Sequence, residues 1–271
     1  MKVADIVVDS HVHLGPTLQN HSSPLEFDAV TGKATVAALD EAGIDVGIAF
    51  APLYEGGKFD DADYKLANYA IAQACAEFPD RFVGYARVNP NRRKAAIDEY
   101  KHCLDDYKLR GLMLHPDWES FYPTNQSLLW PLAELCAEYK VPMTFHVGYY
   151  PKCQPMLFIP LAEAFPTVPI YLKHIGYEYW RDAVIMATRY ENVYLETAGA
   201  STSGEILAAI RWAGANKVCY GSDLPYCLPA VVIKKIESLP IPDEDKALVL
   251  GLNSARLNNI PLRKAAKAVA R

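Results

Sequence analysis

The sequence predicts a single-domain α/β protein, a (β/α)8 TIM barrel over residues 1–271, and three observations carry that expectation. Short apolar, β-branched runs alternate with amphipathic stretches at intervals of about thirty residues, the rhythm of parallel strands joined by helical crossovers. Eight such runs occur, and 271 residues suit the roughly 250 usual for one eight-stranded barrel. The turn after the first run reads Ser10-His11-Val12-His13-Leu14-Gly15-Pro16, not the glycine-rich fingerprint of a doubly wound nucleotide fold.

Taken in order, strand one gathers Val3, Ile6, Val7 and Val8 and stops at the polar turn. Residues 16–32 are Pro-, Ser-, Asn- and Thr-rich and read as a long, functional loop. A helix over 33–43 closes at Gly43, and Asp45–Phe50 is the second strand. The helix Asp63–Phe78 leads to a strand Phe82–Val88 that halts at Asn89-Pro90, and a helix at 93–106 leads to a strand Arg110–His115 halted by Pro116. The second half keeps the alternation. Helices at 126–139, 155–165, 179–190 and 203–213 precede strands Val141–Val147, Pro169–His174, Asn192–Glu196 and Lys217–Gly221, and helices at 229–238 and 244–257 follow. Residues 243–271, rich in Lys, Arg, Ala and Leu, read as a terminal helix packed outside the barrel.

Composition narrows the function classes. A formal net charge of -5 and a pI near 5.8 lack the basic footprint that nucleic-acid binding requires, so the expected partner is a small molecule. Six cysteines without a CxxC pair fit free thiols in a reducing cytosol. With no cationic, apolar leader and no apolar run near the ~20 residues a bilayer demands, the expected location is cytoplasmic, without membrane association. A homodimer is compatible with the Tyr- and Trp-bearing helical faces.

In such a barrel the active site lies at the C-terminal ends of the strands, and the polar residues there form a short list. His11 and His13 close strand one, two residues apart and so on one face. His115 closes strand four, His146 strand five, His174 strand six, Glu196 strand seven and Asp223 strand eight; only His21 and His102 fall elsewhere. Neutral imidazoles with a carboxylate are the ligand set of zinc or a similar divalent ion, with one position left for water. His11, His13, His146 and Asp223 are the candidate ligands, and His174 the candidate partner of a metal-bound water or a substrate oxygen. A bound ion lowers the water pKa to about 7, and Asp223 is placed to shuttle the proton.

The motifs SHVHLG, HVG (146–148), KHIG (173–176), YLET (194–197) and YGSDLPY (220–226), with RFVGYARVNP and GLNSARL, resemble the amidohydrolase superfamily. The likeness is to its amidohydrolase-related branch, which holds metal-dependent hydrolases and aminocarboxymuconate semialdehyde decarboxylase-like enzymes. The resemblance assigns His11, His13 and His146 to the metal, Asp223 to the metal and to proton transfer, and His174 to catalysis beside the ion. Binuclear members carry a carboxylated lysine or a glutamate at the end of strand four, where this chain has Met113-Leu114-His115. One ion is therefore expected, zinc with manganese as the alternative, and His115 stands near the pocket.

Further residues are candidates for contact with substrate. Tyr149, Tyr177 and Tyr226, with Tyr150, Tyr179 and Trp180, follow strands that open on the mouth. Arg87 and Arg181 could hold a substrate carboxylate with their planar forks. Glu196 could touch substrate, hold a ligand histidine from behind, or pair with Arg87. Cys227 reads as a small apolar neighbour.

The leading expectation is hydrolysis, by metal-activated water, of a lactone, ester or amide carbonyl in a small acidic or cyclic substrate. The alternative is a non-hydrolytic decarboxylase of a small unsaturated or aromatic acid. Aromatic-acid decarboxylases of the branch run longer, with insertions in the strand-end loops, so a compact 271 residues leans toward hydrolysis. A barrel kept as a non-catalytic binder is the third reading, disfavoured by the complete ligand set.

Overall fold

The structure is a computed structural model that describes residues 4–15, 31–52 and 63–262. Most of the expected loop at 16–32, His21, and the end of the expected terminal helix lie outside the described residues. The strands are β1 (Val8–His13), β2 (Val46–Phe50), β3 (Phe82–Gly84), β4 (Ala86–Arg87), β5 (Leu112–Leu114), β6 (Met143–Phe145), β7 (Ile170–Leu172), β8 (Val193–Glu196) and β9 (Val218–Cys219). All neighbours pair in parallel, in the orders β1-β2-β3 and β4 through β9.

β3 and β4 are the two halves of the expected Phe82–Val88 strand. Tyr85 links them, its N–H still donating to Ala49 O at 2.8 Å. Its ring turns into the barrel, where the hydroxyl donates to Asn258 Oδ1 at 2.5 Å. A Cβ at Gly111 would overlap that ring, so a glycine on the adjoining strand makes its room. The two sheets meet where β1 runs beside β9 and the residues just past it. Ser10 N–H donates to Tyr220 O at 3.0 Å, Asp223 N–H to His11 O at 3.0 Å, and Val12 bridges Leu224 in parallel.

The helices are α1 (Gly32–Ala42), α2 (Lys65–Glu77), α3 (Lys94–Asp105), α4 (Gln126–Tyr139), α5 (Ile159–Ala164), α6 (Trp180–Arg189), α7 (Ser203–Ala213), α8 (Pro229–Glu237), α9 (Asp243–Ala247) and α10 (Asn253–Leu257). Local chemistry sets their ends. Thr31 caps α1, accepting from Ala34 N–H, and Gly43 ends it at φ 72°. Thr202 and Glu205 form a reciprocal capping box on α7. The expected 155–165 helix starts as 3-10 turns because Pro155 and Pro160 remove backbone donors.

Strand alternation builds two cores. Val8, Val46, Ile48, Phe50, Val83, Tyr85 and Met113 point inward, while Val7, Val12, Ala49, Leu112 and Leu114 meet the helices outside. The chain from 243 to 257 is helical, as expected, with a π turn at Leu248–Leu252, but it does not pack outside the barrel. It closes the N-terminal end of the barrel. Ala255 joins Ile6 and Val8, Leu257 joins Tyr171 and Tyr194, Val249 O accepts from Tyr220 N–H, and Asn258 bonds both Tyr85 and Tyr171. With that end sealed, the strands' C-terminal ends are left to carry chemistry.

Candidate active site

β1 is buried along its whole length, and a register irregularity between Asp9 and Val12 turns His11 and His13 to one side. Their Nε2 atoms stand 3.2 Å apart. Asp223 Oδ1 lies 3.0 Å from His11 Nε2 and 3.1 Å from His13 Nε2. Asp223 is held at φ 67°, an unusual conformation that a residue accepts where surroundings over-determine it. Those surroundings are Asp9 and the Ser222 hydroxyl. Asp9 Oδ1 accepts from the N–H groups of both His11 and Ser222, at 3.0 and 2.9 Å, and Ser222 Oγ accepts from Leu224 N–H at 3.0 Å.

His11 is fixed from behind. Its Nδ1 lies 2.8 Å from Glu196 Oε2, which accepts the Nδ1 proton and leaves Nε2 turned toward His13 and Asp223. Glu196 is fully buried and does not line the cleft. The reading of it as a substrate contact gives way to the one in which it holds a histidine. It points inward because it is two residues from Tyr194 on one strand, and Gly221, just past β9, leaves the room it fills. Below it Lys173 Nζ donates to Ser10 O at 2.6 Å and sits over Phe50.

His174 lies just past β7, where four successive residues, His174 to Tyr177, have positive φ. Its Nδ1 donates to Ala198 O at 3.2 Å, leaving Nε2 a base. His146 and His115 stack face to face at 3.9 Å, and His146 packs edge-on to His174 at 4.6 Å. His146 Nε2 is buried without a hydrogen-bond partner among the described residues. These rings and Asp223 line a cleft of about 270 Å³ with Arg87, Met113, Tyr149, Tyr150, Tyr177 and Tyr226. Tyr149, Tyr177 and His174 form successive stacks at 4.0 and 4.5 Å. The cleft thus gathers His11, His13, His115, His146, His174, Asp223, Arg87, Tyr149, Tyr150, Tyr177 and Tyr226, while Glu196, Tyr179 and Trp180 do not line it and Arg181 lies over the Trp180 ring.

The charges sort by surroundings. Burial pushes His13 down to about 4 and His146 to about 3, and holds His115 and His174 well below the usual imidazole range. Burial works against ionisation of Asp223, yet the His11 charge and the histidine hydrogen bonds outweigh it and hold the carboxyl well below its ordinary range. Burial and Lys173 oppose a charged His11, and Asp223 and Glu196 more than offset them, so its pKa is raised. Asp9 is raised by burial to about 6.

This donor set fits a divalent ion. Two imidazole nitrogens and a carboxylate oxygen turned on one point need a proton or a metal cation among them. Ligands on bonds of about 2.0–2.1 Å in a tetrahedron sit roughly 3.3 Å apart, close to the three separations here. His11, His13 and Asp223 are one group that could hold the ion, and His11, His174 and Glu196 a second; His146 is in neither, but its lone-pair nitrogen faces the same cleft.

A pH dependence follows for the metal-free protein. His13 and His146 have folded pKa values below the unfolded 6.5, so their stability is complete above pH 6.5 and is lost as pH falls toward 4 and 3. At pH 5 each costs about 2 kcal/mol, and Asp9, whose raised pKa acts oppositely, returns about 1. The midpoint of chemical denaturation is therefore expected to fall between pH 7 and pH 5, with a shallower slope in His146→Asn. A flat or rising midpoint would refute the sign.

Sequence reasoning passed over Asp9, Glu119, Tyr64, Asn68 and Lys173. For Lys173 a signal existed, since it alternates in phase with the inward Tyr171. Glu119 and Tyr64 lie on loops, where periodicity is silent. Among the described residues no helix is long and apolar enough to cross a membrane.

The sequence model of a family described as amidohydrolase matches residues 8–259. No curated protein sequence matches the chain. Among solved structures, 2,6-dihydroxybenzoate decarboxylase from Rhizobium is similar with a TM-score of 0.73 and 17% identity, over 94% of this chain and 98% of its own. So is 5-carboxyvanillate decarboxylase from Novosphingobium aromaticivorans, crystallised with manganese and 4-hydroxy-3-methoxy-5-nitrobenzoic acid, at 0.72 and 15% over 96% and 97%. A TIM-barrel protein from Bordetella bronchiseptica reaches 0.75 and 17% over 93% and 97%. At such identities the likeness establishes the fold.

Proposed function

Because this chain belongs to the amidohydrolase family, we propose that it is a metal-dependent carboxy-lyase, removing carbon dioxide from a small, planar, unsaturated or aromatic carboxylic acid. The observation that carries the reading is the donor cluster of His11, His13 and Asp223 opening on a cleft walled by stacked flat rings. Chain length no longer argues for hydrolysis, since the Rhizobium decarboxylase is matched over 98% of its own length.

His11, His13, His146 and Asp223 would hold the ion. The imidazole-rich set favours zinc, and manganese is the ion present in the Novosphingobium enzyme. When bound, the ion would neutralise a substrate oxygen and fix the acid in the cleft. Asp223 is ionised, so the proton that replaces the carboxylate on carbon comes to it from a substrate hydroxyl or from water and passes through Asp223. His174 Nε2 orients that exchange. The flat walls of Tyr149, Tyr177, His115 and His146 hold the substrate plane, and Tyr226, edge-on to His13 at 5.3 Å, closes the mouth.

One observation favours hydrolysis of a small lactone, ester or amide as the second reading. Asp223 and His174 are both bases at neutral pH, as the activation of water requires. Carbon dioxide release measured against acid release, on hydroxybenzoates, muconate-like acids and lactones, separates the two. Carbon dioxide is the expected product; acid release without it overturns the lyase reading. His174→Ala is expected to lose 10²–10⁴-fold in kcat with its metal content intact, and full turnover would remove His174 from the mechanism.

A further inference from the structure

Arg87 is the largest fully buried side chain among the described residues, and its guanidinium is only partly used. Nε donates to Glu119 Oε1 at 2.9 Å and Nη1 to Ala51 O at 3.1 Å. Nη2 is buried with no hydrogen-bond partner among the described residues, on a side chain that lines the candidate active site. Desolvating a cationic N–H without a partner is unfavourable, and a residue kept so has a partner outside the protein as the simplest explanation.

Glu119 does not supply that partner. Oε1 accepts from Arg87 Nε and from the Tyr64 hydroxyl, both at 2.9 Å, and Oε2 accepts from His115 N–H. A purely structural pair would let the carboxylate grip two guanidinium nitrogens side by side. Here it meets only Nε. Arg87 is also placed rigidly, because the Asn68 side chain brackets its backbone, Oδ1 accepting from Arg87 N–H at 2.8 Å and Nδ2 donating to Arg87 O at 2.9 Å. Beside it His115 Nδ1 accepts from Trp118 N–H at 3.2 Å, so its proton sits on Nε2. The charge reaches the cleft, since Arg87 is among the groups that disfavour protonation of His13, His115 and His146.

We propose that Arg87 Nη2 is the anchor of a second anionic group of the substrate, a carboxylate distinct from the one that reacts, so that this enzyme takes dicarboxylic acids. The carboxylate that leaves cannot be the one Arg87 holds. Loss of carbon dioxide discharges that group, and an arginine bonded to it would stabilise the acid over the transition state. A permanent carboxylate suffers no such conflict. It gains binding in ground and transition states alike, which orients the ring and selects the substrate. The assignment rests on the carboxy-lyase reading for which carboxylate reacts, but the anion site itself does not depend on the reaction.

The test is equilibrium binding to the metal-loaded protein, by calorimetry, of benzoate and of phthalate, isophthalate and terephthalate, none of which carries a hydroxyl proton to donate. At least one dicarboxylate is expected to bind ten-fold or more tightly than benzoate. Arg87→Met alone would strand the Glu119 charge, so the diagnostic variant is Arg87→Met with Glu119→Gln, which removes both charges together. In it the preference should collapse to within about three-fold, with benzoate affinity retained. A wild-type protein with no dicarboxylate preference, or a double variant that keeps it, overturns the proposal. A retained preference for dicarboxylates in a protein that releases no carbon dioxide from any acid would sink the lyase reading and leave the anion site standing.

Discussion

Asp223→Asn is expected to lower turnover by on the order of 10³ or more and to reduce the bound divalent metal, because a single oxygen of this residue faces both His11 and His13. The amide keeps the shape and can still present an oxygen, but it carries no charge and cannot pass a proton. Its effect should exceed that of Glu196→Gln, which only loosens the hold on His11 Nδ1 and should weaken metal affinity by about 10–100-fold. The two variants separate a ligand from its support. Elemental analysis and kcat measured together check them. An Asp223→Asn protein that keeps both metal and turnover would refute the assignment.

Glu119→Ala is expected to be the most destabilising single change in the site, by about 3–5 kcal/mol, since it leaves the Arg87 guanidinium buried and unpaired. Both side chains are fully buried, so solvent cannot screen the orphaned charge. Three donors lose an acceptor at once: Arg87 Nε, the Tyr64 hydroxyl and His115 N–H. Equilibrium denaturation reads the loss. A change below about 1 kcal/mol would mean that water enters the site freely and that Arg87 is less isolated than its burial implies. The double change Arg87→Met with Glu119→Gln should be far milder, which distinguishes a stranded charge from simple loss of packing.

The strand and helix order was legible in the sequence because parallel strands buried on both faces are written as short apolar runs, and the turns between them by Gly and Pro. So was the convergence of His11, His13, His115, His146, His174 and Asp223, since each stands where such a run ends, and strand ends in a barrel share one rim. The third strand's division at Tyr85 and the course of residues 243–257 were not legible. Both depend on what fills the barrel floor: Tyr85 turns inward to meet Asn258, Ala255 completes a core begun by Ile6 and Val8 near the start of the chain, and Leu257 one begun by Tyr171 and Tyr194.

By itself, then, the sequence determined the fold class and which side chains arrive at the catalytic rim, because periodicity and chain order are local properties. Only the tertiary structure decided what each of them does there. Glu196 became the support of His11 because Gly221, just past the neighbouring strand, leaves the room its side chain fills. Arg87 became a partly satisfied cation at the cleft because Glu119 takes its Nε and Ala51 O its Nη1, while Asn68 brackets its backbone and Tyr64 shares the Glu119 oxygen, which leaves Nη2 without a partner among the described residues. Partners of this kind are set by three-dimensional proximity, which no spacing along the chain records.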